Sequence, residues 1–368
     1  MTMHTSRGLS WLFDTALPLW AGQGVDSDTH LFYEALDFHG NDGGFETVRS
    51  RVQARQIYVF ASAHAAGWSG PALELAEAGF FVMRAGGWRT GKGWAARLDR
   101  QGNGLDWQGD LYDQAFVLLA LARLFEVTGA PEYQRHIDET LAFIDTELKD
   151  EHGGYSENLA RVTPRRQNSH MHLLEAFLAL STATGDDAFI ARAQGTLDLF
   201  AAHFVNAENQ GVHEMFDAAW HRVPGGLEPG HIFEWSYLLT WLSFCADDAP
   251  LIDQARDLFT YAKASGLSHD GFAVDAIDED ARVTLPTRRL WPQTEYLRAL
   301  QLFAPGEYER FQALVFDSYL DTDVNGLWHD KYNLDGGLDC VRVPASSLYH
   351  LWGGLMPVDG GLVSQCKT

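Results

Sequence analysis

The sequence predicts an all-α fold, an (α/α)6 barrel of about twelve helices closed as one unit over residues 1–368, with short β-hairpins at one rim. Three observations predict it. Short glycine–aromatic or glycine–acid motifs recur at similar intervals, two helical patterns fit between successive motifs, and the two helices of a pair differ in character.

The recurring motifs are GGFET from Gly43, KGWAARLD around Gly93, GGYSEN from Gly153, GVHEMFD from Gly211, GFAVDAID from Gly271 and GLWHDKY from Gly326. Successive spacings are 50, 60, 58, 60 and 55 residues. Within the intervals, Leu111–Thr128 is apolar at nearly every core position, whereas Tyr133–Leu148 carries acids and bases on one side. The same rhythm returns at His172–Thr184 with Asp187–Phe204, at Ile232–Cys245 with Pro250–Ala264, and at Thr294–Phe303 with Gly306–Leu320. An all-round apolar helix belongs inside a barrel, and a helix with a polar stripe belongs outside it. No single repeat buries its apolar face alone, so closing the ring is the economical arrangement. An open array would carry polar capping helices at its ends, and none is evident.

Composition excludes several function classes. Fifty acidic against 27 basic residues give a formal charge of -23, which argues against nucleic acid and anionic membrane surfaces. No run of 18 apolar residues suggests a spanning helix, and the N-terminal stretch lacks the basic segment and cleavage site of a signal peptide. Three cysteines form neither a disulfide framework nor a zinc ribbon, so a cytoplasmic location is expected. The chain carries 12 Trp, 12 Tyr and 22 Phe; most belong to a core, but some suit the apolar face of a sugar ring.

Four places put polar groups on apolar helices. Arg55 stands beside the apolar run of RVQARQIYVF, where it could equally be a structural ion pair. Asn168, His170, His172 and Glu175 crowd the start of QNSHMHLLEAFLAL, and His172 and Glu175, three apart, share a face. His231 and Glu234 repeat that offset in EPGHIFEWSYLL. A carboxylate orients an imidazole and raises its basicity, so each pair reads as acid–base machinery. His350 in PASSLYHLWGGL would pass for a core histidine alone, but in a closed ring it returns beside Arg55. Histidines near carboxylates also suit a metal. No H-x-x-x-H pair or cysteine ligand accompanies them, so neither metal nor other cofactor is expected, and phosphate-loop, dinucleotide and nucleophile-elbow signatures are absent.

These pieces together resemble the N-acylglucosamine 2-epimerase family. The matching stretches are GGF at Gly43–Phe45, RQIYVF at Arg55–Phe60, LYDQAF at Leu111–Phe116, NSHMHLLEA at Asn168–Ala176, GHIFEW at Gly230–Trp235, RLWPQTE at Arg289–Glu295 and SLYHL at Ser347–Leu351. The resemblance implies the (α/α)6 barrel and metal-free proton transfer on an open-chain sugar. It implies His172, His231, His350, Glu234 and Arg55 as catalytic residues, and Tyr112, Asn168, Trp291 and Arg222 as substrate contacts. The expected activity is aldose–ketose isomerisation between D-mannose and D-fructose. A 2-epimerase on glucose/mannose or N-acylglucosamine and a mannose-6-phosphate isomerase are the alternatives within the family; a glycoside hydrolase and a non-catalytic sugar-binding protein are those outside it. The expected partner is a monosaccharide, with a homodimer possible.

Overall fold

The computed structural model describes residues 6–358. Twelve helices follow one another around a ring. Helix α1 runs through Arg7–Trp11, a π-helical turn at Leu12–Ala16, and Leu17–Gln23. The others are α2 (Ser50–Ala65), α3 (Ala72–Gly87), α4 (Leu111–Thr128), α5 (Pro131–Phe143), α6 (Gln167–Thr184), α7 (Ala188–Leu199), α8 (Pro229–Ala246), α9 (Pro250–Ser265), α10 (Leu290–Phe303), α11 (Pro305–Val315) and α12 (Ser347–Leu355).

The even-numbered helices form the inner ring. Every residue of α8 from Pro229 to Ser243 is buried, whereas its partner α9 buries only Leu251, Ala255, Leu258, Phe259 and Ala262, one stripe at helical spacing. Each inner helix packs on the next, and α12 packs on α2. Strands close the ring too: Ala35–Leu36 from the first repeat pairs antiparallel with Val343–Pro344 from the last. The predicted barrel is therefore the observed fold. No described helix is long and apolar enough to cross a membrane.

The glycine motifs mark the turns that lead from each outer helix back to the next inner one. Gly326 sits at φ +95°, and a Cβ there would lie 2.8 Å from the Thr15 carbonyl, so the turn needs glycine for both conformation and space.

Four of the turns are clamped by the inner helix that follows them. Gln53 takes the N–H of Phe32 and donates to its carbonyl; Gln114 does so for Trp94, and Gln293 for Ala273. His170 stands at the equivalent place in α6, and its Nε2 accepts from the Tyr155 N–H at 3.0 Å. This histidine, which looked like part of the chemistry, therefore holds a turn. Replacing Gln293 by Ala strands the buried N–H and carbonyl of Ala273, so urea unfolding is expected to show a loss of about 2–5 kcal/mol.

The first N–H of an inner helix then donates to the arm of the following repeat: Ser50 to the Ala96 carbonyl, Leu111 to Glu157, Gln167 to Glu214, Leu290 to Asp330, and, just ahead of α12, Ala345 to Glu34. Pro229, which has no N–H to give, takes this place in α8. These bonds fix one register for five of the repeats, and Pro229 occupies the matching position in the sixth.

Candidate active site

Counting five residues on from that shared position gives Arg55, Phe116, His172, Glu234, Glu295 and His350. One side chain from each inner helix thus enters a single buried layer across the barrel. The layer above it contains Tyr112, Asn168, His231 and Trp291 from the first turns of α4, α6, α8 and α10. Of these residues, Arg55, Tyr112, Asn168, His172, His231, Glu234, Trp291 and His350 line a cavity of about 360 Å³, with Arg49, Glu228, Arg289 and Asp330 at its rim.

Three histidine–carboxylate pairs face this cavity. His172 Nδ1 meets Glu175 at 3.1 Å, His231 Nδ1 meets Glu214 at 3.0 Å, and His350 Nδ1 meets Glu295 at 2.7 Å. With each Nδ1 occupied by a carboxylate, the other ring nitrogen is left for a substrate. Tyr349 donates to Glu175 at 2.6 Å, and Arg298 stands below, 3.9 Å from Glu175 and 3.7 Å from Glu295. Trp291 lies between His231 and His350, with ring centroids 4.8 and 5.6 Å away. Arg55 donates to the Tyr112 hydroxyl at 2.8 Å and stacks 4.1 Å over Phe116.

The pairing differs from the sequence expectation at Glu234. Its carboxylate does not hold His231; it lies 3.8 Å from His172 Nδ1, and neither oxygen has a hydrogen bond. Three residues along a helix put two Cα atoms on one face, but His231 in the first turn meets Glu214 of the preceding segment while Glu234 lies one layer deeper beside His172. Glu214 is the partner because of the repeat. The equivalent carboxylates Glu34, Glu157 and Asp275 each accept the backbone N–H of an arginine just before an inner helix and pair with its guanidinium. In the fourth repeat Glu228 stands in the arginine's place, so Glu214 is left to take His231.

Arg222 is not among the residues that line the cavity. Its guanidinium donates to the Val205 carbonyl on a neighbouring turn at 3.3 Å. Glu214 and Glu295 were missed as partners although both sat inside quoted motifs, GVHEMFD and RLWPQTE. Only the repeat register shows where they point.

Burial and charge drive the three histidines apart. Burial depresses His350 well below the ordinary range, with Arg55 adding to it, and burial takes His172 down to about 4. His231 is equally buried, but Glu214 and Glu228 outweigh that and raise it. Burial, followed by Glu295 and Glu175, pushes Glu234 well up, which favours its neutral form. Burial raises Glu295 to about 7. Glu175 is the exception: burial opposes its charge, but the bond from His172 and the charge of Arg298 hold it below the usual range. The shifts therefore favour the proton on His231 and Glu234 and the neutral imidazole at His350. The groups His172, Glu175 and Glu234, and Glu214, Glu228 and His231, also hold ligand-type atoms within 4.8 Å of one another.

The family model of N-acylglucosamine 2-epimerase (GlcNAc 2-epimerase) matches residues 32–354, a span that contains every cavity residue named above. The chain belongs to the N-acylglucosamine 2-epimerase family. Among curated relatives of the family, a mannose-6-phosphate isomerase of Rhizobium meliloti (strain 1021) is 36% identical, with 95% of this chain and 96% of that relative covered. A D-mannose isomerase of Thermobifida fusca is 29% identical over 90% and 89%. A cellobiose 2-epimerase of Dictyoglomus turgidum is 23% identical over 66% and 68%. A solved D-mannose isomerase superposes with a TM-score of 0.86 at 21% identity, covering 96% of this chain and 98% of that one, which establishes the shared barrel.

Proposed function

We propose that this member of the epimerase family is a metal-independent aldose–ketose isomerase that interconverts D-mannose and D-fructose through a cis-enediolate. The observation that carries this reading is the convergence of three histidine–glutamate pairs and one arginine on a single cavity, because that set suits proton transfer next to a carbonyl. A glycoside hydrolase would instead set two carboxylates across a bond.

In this reading the open-chain aldose places its C1 oxygen at Arg55, whose fixed charge stabilises the enediolate. His350, neutral because it is buried, takes the C2 proton. His231, kept protonated by Glu214 and Glu228, supplies a proton to the C1 oxygen. His350 then returns its proton to C1, the O2 proton passes back to His231, and the ketose results. His172 beside Glu175 assists ring opening. Glu234, as a neutral acid, donates to a sugar oxygen, and Asn168, whose buried Oδ1 has no partner, receives a sugar hydroxyl.

Isomerisation is preferred to epimerisation because the likeness to the T. fusca mannose isomerase spans 90% of the chain, against 66% for the D. turgidum epimerase. A neutral sugar is preferred because Arg49 and Arg289 at the rim are already paired, the latter with Glu228 at 2.7 Å and Asp275 at 3.1 Å. The Rhizobium relative favours a second reading, with mannose 6-phosphate as the substrate. A neighbouring groove, which shares Arg49, Asp330 and Pro344 with the cavity, has room for a second ring. Proton NMR of EDTA-treated protein with D-mannose, D-glucose, cellobiose and mannose 6-phosphate tests these choices. Fructose from mannose supports the proposal. Epimers alone, turnover of the phosphate ester alone, or activity lost on chelation and restored by a metal would each oppose it.

The electrostatics add a pH prediction. Activity needs His350 without and His231 with its proton, so the acid limb of kcat/KM is expected below the ordinary histidine range and the alkaline limb above it. Glu214→Gln removes the main charge that raises His231, so the alkaline limb shifts to lower pH while the acid limb stays in place. A pH–rate profile of the variant checks the sign.

A further inference from the structure

A second cavity, of about 190 Å³, lies at the opposite end of the inner ring. Its wall begins one helical turn beneath the catalytic layer with Tyr58, Tyr237 and Arg298, and continues another turn down with Ser62 and Arg123. From Arg55 to Ser62 is about 10 Å along α2, at roughly 1.5 Å per residue. This space is therefore separate from the sugar cavity, and the chemistry above does not use it.

Its lining has a particular character. Among the described residues it includes two guanidinium groups and no carboxylate, in a chain whose formal charge is -23. Arg298 stacks 3.4 Å over the Tyr237 ring, and its carboxylate contacts are the longer ones of 3.7 and 3.9 Å to Glu295 and Glu175. Arg123 is paired with Glu126 at 2.8 Å. Ser62 is 4% exposed, and its hydroxyl has no hydrogen-bond partner although it borders the cavity. A buried hydroxyl without a partner needs an explanation, and an acceptor in the cavity supplies one. The volume is below the roughly 300–1,000 Å³ of pockets for larger organic ligands, so the occupant is small.

We propose that this cavity is a binding site for a small oxyanion, inorganic phosphate or a small phosphomonoester, held by Arg123 and Arg298 with Ser62 as a further donor. Two forked guanidiniums suit the several oxygens of such an ion. The site is linked to the mouth. Arg298 stands beneath Glu175 and Glu295, which hold His172 and His350, and Tyr349, another wall residue, donates to Glu175. An anion that engages Arg298 weakens its hold on both carboxylates and lowers turnover.

Calorimetric titration of the full chain with inorganic phosphate, and separately with glycerol 3-phosphate, tests the site. Phosphate is expected to bind at one equivalent, at least about tenfold more weakly in Arg123→Gln and in Ser62→Asp, and unchanged in Arg289→Gln at the sugar mouth. Tight glycerol 3-phosphate binding beside weak phosphate binding identifies the ester as the ligand. No saturable binding of either, binding kept in Arg123→Gln, or binding lost in Arg289→Gln overturns the site. These arms do not depend on the isomerase reading. The link is read by kcat, expected to fall about fivefold or more at saturating anion in the wild type and not in Arg123→Gln. An unchanged kcat with the site filled overturns the link.

Discussion

His350→Ala is expected to lower kcat for mannose about 10²–10⁴-fold, the range for loss of a positioned acid–base group. His350 sits in the central layer, its Nδ1 is held by Glu295 at 2.7 Å, and burial keeps the ring neutral and able to take a proton. His231 cannot replace it, because Glu214 and Glu228 favour its protonated form. KM is expected to change far less than kcat, since the lost interaction belongs to the transition state. Coupled fructose detection gives the rates, and circular dichroism verifies the fold. A variant with more than about a tenth of wild-type kcat would place the base elsewhere.

Arg55→Met is expected to cost about 10²–10³ in kcat, the typical loss when one donor to a developing oxyanion is removed. Methionine keeps much of the length and packs on Phe116, so the change isolates the charge. Arg55→Lys restores that charge without the fork that reaches Tyr112 at 2.8 Å, and its rate is expected to fall between the two. If Met and Lys variants turn over equally, Arg55 acts by packing and not through its charge.

Much of this was legible in the sequence. The ring followed from glycine motifs at 50–60 residue spacing, since a turn such as that at Gly326 tolerates no other residue. His172, His231, His350 and Arg55 were legible because polar groups on apolar helices are costly and need a reason. The partners were not. Three-residue spacing suggested Glu234 for His231, yet which way each side chain turns depends on the register of the whole repeat, and that register gives His231 to Glu214. Arg222 lies away from the cavity lining for a related reason: its turn directs it to the Val205 carbonyl, and nothing local in the sequence encodes that. His170 shows the converse. It stands where other repeats use glutamine to clamp a turn, so its role is found by comparing repeats, not by counting histidines.

The most direct test of the central claim is the position of deuterium after turnover of D-mannose in heavy water. The account predicts D-fructose with deuterium at C1, because the proton taken from C2 returns, after exchange on His350, to the neighbouring carbon. Deuterium at C2 of an epimerised aldose, with no ketose formed, would contradict it.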